Sequence, residues 1–262
     1  MSRQNSLQLL ADYGNDGESS DEDVPGSRVS TKRVFKEEGK QLRLPVPDCL
    51  SKVEISSWED KPSEHQGRVR SFQHERGNWA TFIYIPYQSH YQFNHIIDWI
   101  IDFVPEVSLN KVEDFHISLT RTVILKYHWI FPFMNTVKEN TCNYSRFIAM
   151  FGDFRVYCNE ERTRTFIGLE IKTGRDTLRS LVKDLDKCLL EFKLPQFYED
   201  PSFHMSIVWC LGDMEEKLCK YLPQLNSKLQ EIIADYPDEN WYILANYLFC
   251  KTGNKMFQFP LV

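Results

Sequence analysis

Two short segments place a histidine and a serine two residues apart in otherwise apolar runs. EDFHISLT at 113–120 holds His116 and Ser118, and PSFHMSIVWC at 201–210 holds His204 and Ser206. Alternate side chains on a strand point to opposite faces, so Phe115, Ile117 and Leu119 are expected to enter a core while His116 and Ser118 share the other face. The second segment repeats the pattern, with Phe203, Met205 and Ile207 inward and His204 and Ser206 outward. Imidazole, with an ordinary pKa of ~6.5, serves as base or acid near neutrality. Two imidazoles flanking a groove, with a hydroxyl beside each, are equipped for in-line phosphoryl transfer without a metal. One ring takes a proton from the attacking group, the other gives one to the leaving group, and the hydroxyls donate to phosphate oxygens. Each positioned proton-transfer group is worth ~10²–10⁴-fold, and donors aimed at developing charge add a comparable factor. The spacing alone carries little weight in a chain with seven histidines and many serines and threonines; two structural histidines are the plain alternative. What singles the two copies out is their identical apolar framing. His65, His74, His90, His95 and His128 lack that setting, and no HExxH or carboxylate–histidine cluster suggests a metal site.

The elements that must hold these strands follow an alternating pattern from about residue 78. NWATFIYIPY reads as a strand, and Phe93, Ile96, Ile97, Ile100 and Val104 then fall at helical spacing. KYHWIFPFMNTVKEN reads as a helix despite Pro132. RFIAMFGDFRVYC and TRTFIGLEI read as strands joined by the polar turn NEER. Leu178, Leu181, Val182, Leu185, Leu189 and Phe192 make one helical stripe. After the second histidine strand, Asp213 with Glu216 suggests a capping box. It opens one amphipathic helix through Leu218, Leu222, Leu225, Leu229 and Ile232, kinked at Pro223. WYILANYLFC and KMFQF close the chain as strands around the turn KTGN. The expected class is α+β: two pseudo-symmetric lobes, each an antiparallel sheet with outer helices, flanking a central groove.

Residues 1–43 lack hydrophobic periodicity and are expected to be a disordered acidic and basic tail, with LPVPD at 44–48 marking entry into a single two-lobed domain over 44–262. Residues 12–23 hold six acidic residues and no lysine or arginine, which accounts for the whole net charge of −6. The remaining body is balanced, which argues against tight, sequence-blind binding of long duplex DNA. The N-terminus lacks a signal-peptide pattern, and no apolar run approaches the ~20 residues of a membrane span. A soluble, intracellular protein with no membrane partner is expected. Seven scattered cysteines without a CxxC pair read as reduced thiols. TKR at 31–33 offers a nuclear-import signal, with a solvated tail as the alternative.

Paired His-x-Ser motifs in two comparable lobes resemble the 2H phosphodiesterase superfamily. The likeness is closer to its branch of U6 small nuclear RNA phosphodiesterases, carried by EDFHISLTRT, NEERTRTFIGLEI, FYEDPSFHMSIVWCLGD and CKTGNKMFQFPL across about 78–262. The resemblance implies a 2H phosphoesterase-like fold and a nuclear, cofactor-free and metal-independent 3′-to-5′ RNA exonuclease of the phosphorus–oxygen lyase type. Its implied partner is the single-stranded 3′ end of U6 RNA, ending in uridine or adenosine, and the protein is expected to act as a monomer. The 2′-hydroxyl of the penultimate ribose would attack the adjacent phosphorus and leave a 2′,3′-cyclic phosphate.

Residue by residue, His116 and His204 align with the catalytic pair, and Ser118 and Ser206 with the hydroxyls that hold phosphate. Tyr198 matches an aromatic that stacks on the terminal base; a plain turn tyrosine is the alternative. Asp200, Ser202, Phe203, Met205 and Ile117 belong to segments expected to line the nucleotide pocket. Glu160 stands where the family pattern leads one to expect a glutamine, and an ionised carboxylate donates no hydrogen bond. Arg162 and Arg164 would supply positive charge along the RNA path, with surface charge as the competing reading for Arg164. Sequence leaves open which histidine is the acid. It also leaves open two other readings, a 2H enzyme acting on cyclic phosphates or 2′,5′ linkages, and an inactive RNA-binding module.

Overall fold

The computed structural model describes residues 75–262 together with Gly67 and Phe72. The tail at 1–43, the entry at 44–48 and Cys49 lie outside the described residues. Among the described residues, five helices and ten strands follow one another. The strands are β1 (Asn78–Pro86), β2 (Asn110–Lys111), β3 (His116–Ser118), β4 (Val123–Lys126), β5 (Phe147–Cys158), β6 (Arg164–Ile171), β7 (His204–Leu211), β8 (Tyr242–Ala245), β9 (Tyr247–Thr252) and β10 (Lys255–Pro260). The helices are α1 (Tyr91–Phe103), α2 (Ile130–Thr141), α3 (Arg175–Glu191), α4 (Glu215–Cys219) and α5 (Leu222–Asp235), with a 3-10 turn at Tyr127–Trp129 leading into α2.

All strands join one antiparallel sheet in the order β10-β9-β1-β3-β7-β6-β5-β8, with β4 beside β1 and β2 beside β7. The two lobes therefore meet edge to edge at β3 and β7, the two histidine strands. WYILANYLFC, read from sequence as one strand, divides at Asn246. Its first half pairs with β5 at one end of the sheet, and its second half pairs with β1 and β10 near the other. Only Asn246 separates the two halves, so Ala245 and Tyr247 lie two Cα steps, at most ~7 Å, apart, and the sheet must curl until its ends approach. That curl makes the concave face on which the histidines sit.

The opposite face is the core. Ile83 and Ile85 of β1, Ile117 of β3, Ile167, Leu169 and Ile171 of β6 and Met205 and Ile207 of β7 are all buried there. The helices cover this face in pairs, α1 against α5 and α2 against α3, each pair taking one helix from each half of the chain. The α3 stripe is buried through Leu189, and each such side chain is worth ~1.5–3 kcal/mol on burial. His90 caps α1, its Nδ1 accepting from Phe93 N–H at 3.3 Å.

The region after β7 differs from the single kinked helix expected. The chain forms α4, breaks at Lys220–Tyr221 and restarts as α5 with Pro223 in its first turn. Proline lacks an N–H and its ring clashes with the carbonyl four residues back, so it is tolerated at a helix start and not within one. The capping box is also absent as drawn. Met214 is the cap, and Asp213 accepts from Glu215 N–H at 3.3 Å while binding Arg162.

Candidate active site

The apolar side of each histidine strand is what fixes the histidines. Ile117 and Met205 are fully buried and stand opposite each other across β3 and β7. Antiparallel register then sets Ser118 opposite His204 and His116 opposite Ser206. The four polar side chains share the concave face of two neighbouring strands. The row continues outward from Ser118 to Tyr84 and Phe249, and from His204 to Glu170.

Both rings are held the same way. Nδ1 of His116 lies 2.7 Å from the Asp114 carbonyl, and Nδ1 of His204 lies 2.7 Å from the Ser202 carbonyl. A carbonyl can only accept, so each Nδ1 carries the proton and donates, and Nε2 is the nitrogen left for proton transfer. Each ring also meets a tyrosine from its own lobe. Tyr84 lies 5.0 Å from His116, and Tyr157 stacks flat on His204 at 3.7 Å with 13° between planes.

Burial pulls both histidines below their ordinary pKa; the carbonyl bonds and, for His116, the Asp114 charge oppose this. His116 in turn pushes His204 further down. Glu170, beside His204 in register, is bound by Arg155 at 2.8 Å and Arg175 at 3.4 Å. An uncompensated carboxylate there would favour imidazolium; the two arginines offset its charge.

Gly168 lets β6 approach His204. A Cβ at this position would stand 2.9 Å from the Met205 carbonyl oxygen and 3.4 Å from Cδ2 of His204. The β6–β7 register shifts between Ile167 and Gly168.

Several expected pocket residues occupy other places. Ile117, Met205 and Phe203 are buried in the core, facing away from the histidines, so their side chains pack the sheet and do not line the groove. Ser202 contributes its carbonyl to His204. Arg162 is held by Asp213 and, at 3.2 Å, by Glu215, so its charge is compensated locally and not directed along a groove. Arg164 lines a cavity of about 210 Å³ with His116, Lys111, Phe166 and Trp209. Tyr198 and Asp200 border a separate cleft of about 800 Å³ against α3. Glu160 binds Arg121 through two hydrogen bonds, at 2.8 and 3.2 Å, and the Arg121 guanidinium lies 4.1 Å over the Tyr198 ring.

Sequence reading passed over Tyr84, Tyr157, Arg121 and Gly168. For Gly168 a signal existed, since a lone glycine inside a strand marks a bulge or a close approach. The other three depend on partners far away in the chain. Among the described residues, no group of three or more His, Cys, Asp and Glu side chains gathers as a metal site, and no helix is long and apolar enough to cross a membrane.

Residues 44–260 match the HVSL family, described as an uncharacterised conserved protein. U6 snRNA phosphodiesterase 1 of Mus musculus is 42% identical over 84% of this chain and 84% of its own length. The Homo sapiens protein of the same name is 37% identical over 96% of this chain and 98% of its own. The solved structure of Kluyveromyces marxianus Usb1 is similar with a TM-score of 0.49 at 15% identity, covering 71% of this chain and 98% of that one. With identity of this extent along nearly the whole sequence, the chain belongs to the U6 snRNA phosphodiesterase family.

Proposed function

We propose that the protein is a 3′-to-5′ RNA exonuclease that trims the 3′ end of U6 small nuclear RNA in the nucleus, acting as a monomer on uridine- or adenosine-ended RNA. Trimming would serve U6 maturation and hence pre-mRNA splicing. Family membership supplies the substrate class. The observation that carries the chemistry is the matched pair of imidazoles, each fixed through Nδ1 to a backbone carbonyl at 2.7 Å.

In this reading the 2′-hydroxyl of the penultimate ribose loses its proton to Nε2 of one histidine and its oxygen bonds to phosphorus. The bond from phosphorus to the 5′-oxygen of the terminal nucleoside breaks, and the second histidine protonates that oxygen from its own Nε2. The products are a shortened RNA ending in a 2′,3′-cyclic phosphate and the released nucleoside. Ser118 and Ser206, opposite the two rings, donate to the phosphate oxygens where charge builds. Tyr198 stacks on the terminal base, a contact worth ~1–3 kcal/mol in single-strand binders. Asp200 borders the same cleft, and Arg164 and His116 line the smaller cavity on which the upstream strand would lie. The protein's own groups supply every proton transfer, so no metal is required.

The test is incubation of the purified protein with a 3′-hydroxyl oligouridine in excess EDTA. Stepwise loss of 3′ nucleosides is expected. Activity that disappears in EDTA and returns with Mg²⁺ would overturn the two-histidine reading.

A further inference from the structure

We propose that Arg121 is a positioning residue for the terminal base: it seals one face of Tyr198 and holds the ring so that a single face is left for stacking. The inference rests on the reading of Tyr198 as the base platform.

Three segments distant in sequence converge here. Arg121 follows β3, Glu160 lies in the turn between β5 and β6, and Tyr198 lies in the loop before β7. The guanidinium sits 4.1 Å from the Tyr198 ring centroid, within range of a cation–π contact. Its two terminal nitrogens are fixed by both carboxylate oxygens of Glu160, at 2.8 and 3.2 Å. Such a fork sets the plane of the guanidinium as well as its place. Among the described residues, none offers an acceptor to the buried Arg121 Nε.

The arrangement gives the carboxylate at 160 a task of its own. A glutamine offers one acceptor oxygen, whereas the ionised carboxylate accepts from both terminal nitrogens. Glu160 therefore anchors the arginine and does not itself read the base. Tyr198 packs edge-on against Phe197 at 5.0 Å, so with Arg121 above it the ring is restrained while remaining 44% exposed. A platform fixed before RNA arrives loses less freedom on binding.

The experiment uses the full chain and an oligouridine whose penultimate nucleotide is 2′-O-methyl and whose terminal base is 2-aminopurine. Stacking on Tyr198 quenches the probe. Arg121→Ala should raise KM for unmodified oligouridine about two- to fivefold, the range for an exposed cation–π contact, with kcat held and with weaker quenching. Arg121→Lys keeps the charge but not the planar fork, and should fall between Ala and wild type. In the Tyr198→Ala background, Arg121→Ala should change KM no further. Multiplying losses would show Arg121 acting on phosphate directly and overturn the proposal. A lowered Tm with KM and quenching unchanged would make the cluster structural and overturn it too. If Tyr198→Ala itself leaves KM unchanged, the platform reading fails; if it raises KM while Arg121→Ala does not, only the inference fails.

Discussion

Replacing Gly168 by alanine adds one methyl group, and the structure sets what it must displace. The new Cβ would lie 2.9 Å from the Met205 carbonyl oxygen, against an ordinary contact of 3.4 Å or more. The shortfall is about 0.5 Å (3.4 minus 2.9), and the obstacle is backbone, which cannot swing aside. β6 and β7 must part by a comparable amount. Overpacking of this kind costs ~1–3 kcal/mol, and a domain of this size loses ~2–4 °C of Tm per kcal/mol. A drop of about 2–12 °C is therefore expected. The methyl only reaches ordinary contact with Cδ2 of His204, at 3.4 Å, so His204 is displaced by the shift of β7 that carries it, away from the geometry set by the Ser202 carbonyl and the Tyr157 face. A misplacement of ~1 Å costs on the order of 10²-fold in rate, so half of that predicts about tenfold in kcat. Calorimetry gives Tm, and single-turnover cleavage of oligouridine well below Tm gives the rate. Binding of RNA with a 2′-O-methyl penultimate nucleotide should hardly change. Wild-type Tm and rate together would refute the claim that the strands need this approach.

Replacing His116 or His204 by alanine should lower kcat by at least ~10²-fold, and the double variant should fall little below the worse single one, because the two act as a unit. A double variant retaining a tenth of the activity would return both rings to a structural role. Because burial lowers both histidine pKa values, the alkaline limb of kcat/KM for the free protein should lie below pH ~6.5. In the kcat profile that limb should move upward, since bound phosphate favours imidazolium; the values belong to the coupled pair. A limb in the lysine or tyrosine range would contradict this. The same shifts predict acid sensitivity. Above pH ~6.5 both rings are neutral folded or unfolded; below it the unfolded chain takes up protons first, so stability falls until the folded pKa values are passed. Chemical denaturation at a series of pH values reads this directly, and His116→Ala and His204→Ala should flatten the slope.

What the sequence could reveal followed from period. The two-residue alternation in FHISL and FHMSI placed two histidines and two serines on one face and three apolar side chains on the other, and the structure has them so. Ile117 and Met205 were drawn toward the nucleotide by their position inside the motif, but that same alternation buries them. The adjacency of β3 and β7 was not legible, because pairing of strands some ninety residues apart depends on the curl of the whole sheet. The split of WYILANYLFC at Asn246 was hidden for the same reason: both halves are apolar, and only their partners differ. Arg121 lies within EDFHISLTRT, yet its role depends on Glu160 and Tyr198, 39 and 77 positions away (160 minus 121; 198 minus 121).

In the proposed reaction RNA's own 2′-hydroxyl is the nucleophile, one histidine takes its proton and the other protonates the departing 5′-oxygen. The most direct measurement compares two oligouridines, identical except that one carries a 2′-deoxy penultimate nucleotide, with product ends identified by mass spectrometry. The account predicts a 2′,3′-cyclic phosphate from the ribose substrate, lighter by one water than the linear phosphate. It predicts no cleavage of the deoxy end, which should instead compete for the site. Efficient cleavage of the deoxy linkage would contradict the account, because water, not the ribose, would then be the attacking group.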